Sequence, residues 1–297
     1  MRQNAGMPKT ASVLLAALYA PLFLVACGAT AGGGSSQAPP TGHSGAHSLV
    51  LATLFSNNSA EFAAAARGCY RSAEDRLPAF VDDSAHTAAL EQPTGGDARP
   101  PAIILDVDET VLDNSPYEVR LIQDGTAYPS GWAAWCNEAK APAIPGAQEF
   151  TSWAAGMGVT VFYVTNRKAE VEAGTAKNLE SLGFPMRSDI DTLLMRGERE
   201  EWTSDKTTRR AHVAKDFRIV MMFGDNLGDF LPLEDTKSAP VERRAAMAAH
   251  AEKWGREWVM IPNAMYGDWD RAILRDATDP TPAEIDRLRI QAMDARR

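Results

Sequence analysis

Asp106 and Asp108 stand two residues apart at the end of the apolar run Ala102-Ile103-Ile104-Leu105. In an extended chain alternate side chains share a face, so both carboxylates can be aimed at one small volume. The carboxyl end of a buried strand is also where open α/β sheets bind ligands. Two anions crowded in this way call for a proton or a cation between them, and magnesium is the natural candidate. An isolated Asp-x-Asp also occurs in solvated turns and calcium loops. The calcium-loop reading would want a further oxygen ligand at Thr110 and glycine at Val111, and the sequence does not fit it. A second acidic cluster, Gly224-Asp225-Asn226-Leu227-Gly228-Asp229-Phe230, follows another apolar run, Ile219-Val220-Met221-Met222-Phe223. Two strands that each end in a carboxylate pair can supply four acidic groups to one site.

The elements that must position these groups read as alternating strands and helices. Residues 59–77 have a helical pattern with Ser59 as N-cap, and a further helical piece is expected over 79–90. Residues 92–101, rich in Pro and Gly, form a loop ahead of the first central strand. Pro129, Gly131, Pro142 and Pro145 make 114–143 a loop-rich insertion carrying Tyr117, Tyr128, Trp132 and Trp135, able to roof the site. Pro145 is expected at the first position of a helix ending near Gly156. The β-branched run Val159-Thr160-Val161-Phe162-Tyr163-Val164 then stops at Thr165-Asn166-Arg167, and a helix over 168–182 closes at Gly183. A helix from about Ser204 or Lys206 to Lys215 leads into the Ile219 strand, and Trp258-Val259-Met260-Ile261 is a last short strand. Thr281-Pro282-Ala283-Glu284 marks the start of a terminal helix with N-cap, Pro at N1 and Glu at N3. Such alternation predicts an α/β fold, a Rossmann-like parallel sheet with helices on both faces, capped by the N-terminal helices and the insertion after the first strand.

With 297 residues the chain suits one such domain with additions. A net charge of −9, with no basic run interleaved with aromatics, argues against a nucleic-acid polymer as partner and for a small substrate. Arg2 and Lys9 precede an apolar stretch over 13–25, and Leu24-Val25-Ala26-Cys27 is a bacterial lipobox. Residues 1–26 therefore read as a lipoprotein signal peptide, 27–48 as lipidated Cys27 with a Gly/Ser/Pro tether, and 49–297 as the functional domain. The expected location is extracytoplasmic and lipid-anchored. Gly28 rather than Asp after the cysteine resembles bacterial lipoproteins of the outer membrane, so that location is expected where a cell has two membranes. Cys69 and Cys136 are open to either disulfide pairing or free thiols, and five scattered His residues form no zinc motif. The oligomeric state is open, a homo-oligomer included.

The segments 104–117 (Ile-Leu-Asp-Val-Asp-Glu-Thr-Val-Leu-Asp-Asn-Ser-Pro-Tyr) and 220–230 (Val-Met-Met-Phe-Gly-Asp-Asn-Leu-Gly-Asp-Phe) flank Val-Thr-Asn-Arg in order. They resemble the haloacid dehalogenase superfamily and, within it, the class C non-specific acid phosphatases, bacterial lipoproteins that dephosphorylate nucleotides and other monoesters. Pro262 to Trp269 is similar to the C-terminal Pro-Asn-x-x-Tyr-Gly-x-Trp segment of that family. The resemblance implies a magnesium-dependent acid phosphatase or 5′-nucleotidase. In it Asp106 is the nucleophile that forms an aspartyl-phosphate, and Asp108 is the acid and base. Magnesium would be held by Asp106, the Asp108 backbone carbonyl and Asp225, with Asp229 orienting these ligands. Thr165 and Asn166 would donate to phosphoryl oxygens and Lys206 would supply positive charge. Taken alone, Thr165 is a strand-ending threonine and Lys206 a solvated helix lysine beside Arg209 and Arg210; the two aspartate motifs make both site candidates. Trp132 and Tyr266 resemble positions that flank a nucleobase or aromatic leaving group, whereas Trp135, Trp153 and Trp254 are expected in the core or an interface. Glu109, Asp113 and Asp205 read as solvated carboxylates or caps. The alternatives are phosphotransfer to an alcohol on the same scaffold, or a surface lipoprotein that binds a ligand without turnover.

Overall fold

Alternation along the central strand divides the core in two. Ile103 and Leu105 enter one buried apolar cluster with Val161, Tyr163, Met221 and Phe223. Ala102 and Ile104 enter the other with Phe162, Val164, Ile219 and Met222. A strand apolar on both faces needs a layer of helices on each. The computed structural model, which describes residues 47–92 and 99–293, has that architecture. Strands β1 (Pro101–Leu105), β2 (Thr160–Lys168), β3 (Leu193–Arg196), β4 (Arg218–Gly224) and β5 (Trp258–Met260) form one sheet in the order β3-β2-β1-β4-β5. Every neighbouring pair is parallel. The order reverses between β1 and β4, where Leu105 pairs with Phe223, so the residues that follow these strands face each other across the switch point.

The helices in chain order are α1 (His47–Asn58), α2 (Ala60–Glu74), α3 (Leu77–Asp82), α4 (Ser115–Asp124), α5 (Trp132–Glu138), α6 (Ala147–Gly156), α7 (Glu172–Ser181), α8 (Thr207–Asp216), α9 (Leu233–Thr236), α10 (Pro240–Ala249), α11 (Asp268–Leu274) and α12 (Pro282–Ala292). Ser59 caps α2 by accepting from Phe62 N at 3.0 Å. Thr281 and Glu284 form the expected reciprocal box at the start of α12. Helix α1 packs against α4, so the N-terminal segment and the insertion after β1 meet.

Several boundaries differ from the sequence reading. The piece expected over 79–90 is only the short α3, which ends where the chain turns to lie along β4 with Ala88 N donating to Ile219 O. The insertion 114–143 is not loop-rich but holds α4 and α5; Pro116 starts α4 and Gly125, with φ +64°, stops it. Pro145 does not open α6, because the chain passes first through Gly146 at φ +94°. There a Cβ would lie 3.2 Å from the Arg67 backbone, so glycine is required and the helix starts after it. Edge strand β3 was not expected, nor were α9, α10 and α11. The tether's last two residues belong to α1, while the leader, Cys27 and the rest of the tether lie outside the described residues. Cys69 and Cys136 are free thiols. Among the described residues no helix is long and apolar enough to cross a membrane.

Candidate active site

Asp106 is the first residue after β1, and its backbone N–H donates to Phe223 O at 3.0 Å, which extends the ladder with β4 by one step. Asp225 follows β4 directly, and Asp229 ends the short 3-10 turn Leu227–Asp229. One carboxylate oxygen from each of these three lies within 4.8 Å of the others. Gly224 makes the approach geometrically feasible, since a Cβ there would sit 2.2 Å from an Asp229 carboxylate oxygen. Asp229 also accepts from Asn226 N at 2.9 Å, and Asp225 accepts from Asn263 Nδ2 at 2.8 Å. Lys206 caps α8 on the backbone side and sends its ammonium into the cluster, where it donates to Asp106 and, at 2.7 Å, to Asp229. It is buried, not solvated, and so are Arg209 and Arg210.

Two of the three carboxylates, Asp106 and Asp229, thus share one ammonium. Burial pushes the Asp106 carboxyl up to about 7, against the pull of Lys206 and with the help of Asp229 and Asp108. Burial, then Asp229 and Asp106, raise Asp225 well above the usual carboxylate range. Burial alone would depress Lys206, but Asp106 and Asp229 hold it above its ordinary value. An all-oxygen donor set with surplus negative charge suits a hard divalent cation, so the residues present fit the expected metal.

Asp108 faces elsewhere. Its carboxylate accepts from Asn114 Nδ2 at 2.8 Å and from Arg167, whose Nε lies at 2.9 Å. Arg167 is fully buried and also donates to Thr175 Oγ1 at 3.1 Å and Asn114 Oδ1 at 3.2 Å. Trp135 Nε1 completes the Asn114 contacts at 2.8 Å. Glu109 is not solvated: it is buried at φ +56° and accepts from Asn114 N at 2.8 Å. Burial, then Asp108 and Asp225, raise its carboxyl well above normal. Asp113 and Asp205 are caps, accepting from Ser115 N and Thr207 N, each at 2.8 Å.

Thr165 is buried near the end of β2, where its hydroxyl accepts from Arg167 N at 3.0 Å. Asn166 donates one amide N–H to Ser204 O at 3.0 Å and accepts from Arg209 at 2.7 Å. Arg209 further bonds Thr165 O and, at 2.8 Å, Thr203 O, so one guanidinium ties the end of β2 to the loop that delivers Lys206. Sequence reasoning missed Arg167, Asn114 and Arg209. The available signals were the shared strand face of Thr165 and Arg167 and the shared helix face of Lys206 and Arg209.

Beside Asp108 and Arg167 a cavity of about 720 Å³ opens, lined by Tyr117, Trp132, Asn166 and Tyr266 among others. Tyr117 holds the Trp132 ring edge-on at 5.0 Å between centroids, and the Arg167 guanidinium lies 5.3 Å from that ring. Asn263 accepts from Met265 N and donates to Tyr266 O, which links the Tyr266 loop to Asp225. Trp135 is buried and Trp254 packs on Trp258, whereas Trp153 stands at the surface and not in the core.

A parallel sheet with this acidic cluster and lysine at its switch point has the haloacid dehalogenase-like fold. A family model described as HAD superfamily, subfamily IIIB (Acid phosphatase) matches residues 46–269, and the chain belongs to that family of phosphomonoesterases. Among solved structures, the class C acid phosphatase from Bacillus anthracis with tungstate bound is 31% identical, with a TM-score of 0.73 over 84% of this chain and 98% of that one. A second structure of the same enzyme gives 0.72 at 31% identity over the same shares. Acid phosphatase 1 from Solanum lycopersicum is 32% identical over 161 residues, 51% of this chain; the chain spans 60% of that relative's length.

Proposed function

We propose that the protein is a magnesium-dependent acid phosphatase that hydrolyses nucleoside 5′-monophosphates and related monoesters through an aspartyl-phosphate on Asp106. The observation that carries this reading is the convergence of Asp106, Asp225, Asp229 and Lys206 at the sheet's switch point, beside an aromatic cavity. An Asp106 oxygen forms the bond to phosphorus as the ester P–O bond breaks, which divides one difficult hydrolysis into two steps. Asp108 gives a proton to the leaving alkoxide, then takes one from the water that cleaves the acyl phosphate. Arg167 and Asn114 hold the Asp108 carboxylate in place for both transfers. Lys206, the Thr165 hydroxyl and an Asn166 N–H are the donors for charge on the phosphoryl oxygens. Asp106, the Asp108 carbonyl and Asp225, with Asp229 in support, would hold magnesium, which would act as a Lewis acid and offset repulsion between carboxylate and phosphate dianion. Trp132 and Tyr266 stack the leaving group.

Cys27 carries the lipid anchor in this proposal, and the domain works outside the cytoplasm, at the outer membrane where one exists. No observation among the described residues favours phosphotransfer or ligand capture without turnover. The test is a panel of monoesters assayed with and without magnesium, on wild type and Asp106→Asn. Release of phosphate should need both the metal and Asp106, and near wild-type turnover by Asp106→Asn would refute the covalent route.

A further inference from the structure

Helix α4 carries Tyr117, Glu118 and Leu121 on its buried side, and all three line the cavity that begins at Asp108. Glu118 is the exception in chemistry. It is only 5% exposed, and among the described residues its carboxyl makes neither a hydrogen bond nor an ion pair. The wall around it is largely apolar, with Leu49, Leu121 and Ile122 among its neighbours along the cavity. Two buried or half-buried guanidinium groups of the same cavity have partners already. Arg167 is held by Asp108, Asn114 and Thr175. Arg289 is paired in bidentate fashion with Asp270 at 2.8 and 2.7 Å. Burial, with nothing opposing it, pushes the Glu118 carboxyl up to about 7. Buried polar side chains are almost always satisfied, so one left open toward an apolar cavity is fitted for a partner that arrives with the ligand.

We propose that Glu118 is a specificity-determining residue that accepts a hydrogen bond from a hydroxyl or N–H of the leaving group, selecting nucleoside-like alcohols over plain aromatic ones. The proposal rests on the phosphomonoesterase reading above, and adds a polar reader to a pocket otherwise defined by ring stacking. A site that must bond a donor discriminates against analogues lacking it, because the acceptor is then buried unpaired.

The test compares adenosine 5′-monophosphate, whose leaving group carries donors, with phenyl phosphate, whose leaving group carries none. In Glu118→Leu the ratio of kcat/KM for the nucleotide to that for phenyl phosphate should fall about tenfold, through KM for the nucleotide rather than kcat. Glu118→Gln keeps an acceptor of the same shape and should fall between Leu and wild type. It also serves if Glu118→Leu does not fold. Ratios within twofold of wild type for both variants, or equal losses on both substrates, would overturn the proposal. Binding of adenosine to a chain that also carries Asp106→Asn, followed by tryptophan fluorescence, separates the two readings. If wild type hydrolyses neither ester, the proposed function fails, while weaker adenosine binding in Glu118→Leu still supports Glu118 as the reader and unchanged binding still refutes it.

Discussion

Replacing Asp106 by asparagine removes one negative charge from a site where three carboxylates face a single ammonium, and the pH dependence of stability should register it. Asp106 is 7% exposed and its carboxyl is pushed up to about 7, chiefly by burial. In the unfolded chain the same group titrates at about 3.9. Between those values the native state holds a proton that the unfolded state has released, so the stability Asp106 contributes is fully present below about pH 4 and is lost as pH rises through about 7. A difference of about 3 pH units corresponds to roughly 4 kcal/mol. Urea unfolding of chelator-treated protein at half-unit steps between pH 4 and 8 measures this. Wild type should lose on the order of 4 kcal/mol relative to Asp106→Asn across that window. Glu109 and Glu118, also raised, are present in both chains and cancel in the difference. Asp225 loses a repulsive neighbour in the variant, which moves the difference in the same direction. Parallel curves would refute the reasoning. A wild type that gains on the variant as pH rises would show that Lys206 outweighs burial and holds Asp106 below its ordinary range.

Gly224→Ala places a methyl group 2.2 Å from an Asp229 carboxylate oxygen, so it should displace Asp229, destabilise the fold by about 1–3 kcal/mol and weaken cation binding, read by calorimetric titration with magnesium. Arg209→Met leaves the buried carbonyl of Thr165 and the side chain of Asn166 without their donor, and should lower stability by about 3 kcal/mol and kcat more than KM, with partial recovery in Arg209→Lys. Trp132→Ala and Tyr266→Ala should each raise KM for adenosine 5′-monophosphate about tenfold more than for a short aliphatic phosphate, since stacking contributes about 1–3 kcal/mol per ring. Equal losses on both substrates would mean that these rings only hold the cavity wall together.

What was legible in the sequence was whatever depends on neighbours in the chain. Apolar runs ending in Asp106 and in Asp225 identified β1 and β4, because a run buried on both faces cannot be hidden by polar alternation. Capping chemistry at Ser59 and Thr281 located two helix starts for the same local reason. Strand β3 escaped because Leu-Leu-Met-Arg is four residues without a β-branched side chain, and pairs with β2 only through tertiary packing. The insertion after β1 was misread because Pro129, Gly131, Pro142 and Pro145 were counted as loop formers, whereas the three prolines lie outside α4 and α5 and Gly131 is the N-cap of α5. The buried guanidinium groups were missed for a different reason. A face shared with Thr165 or with Lys206 is the one local hint for Arg167 or Arg209, and the Asp108 carboxylate and Thr165 carbonyl that they hold lie 59 and 44 residues away in the chain.

Lys206 and Arg167 divide the site into halves with different charge. On one side Asp106, Asp225 and Asp229 face Lys206 alone, an excess of carboxylate that favours a hard divalent cation. On the other, Asp108 is held by Arg167 and Asn114, so its charge is offset within the protein. Nucleophilic attack and proton transfer ask for opposite conditions, one a carboxylate kept ionised beside a dianion, the other a carboxyl that changes state within each turnover. The Arg167 guanidinium, reaching across from β2, offsets the Asp108 charge, while Asp108 still helps to raise the Asp106 carboxyl. The chemistry proposed here therefore depends on a residue outside both aspartate motifs, and Arg167→Met should impair turnover of substrates with poor leaving groups more than those with good ones, because the proton that Asp108 delivers matters most to the former.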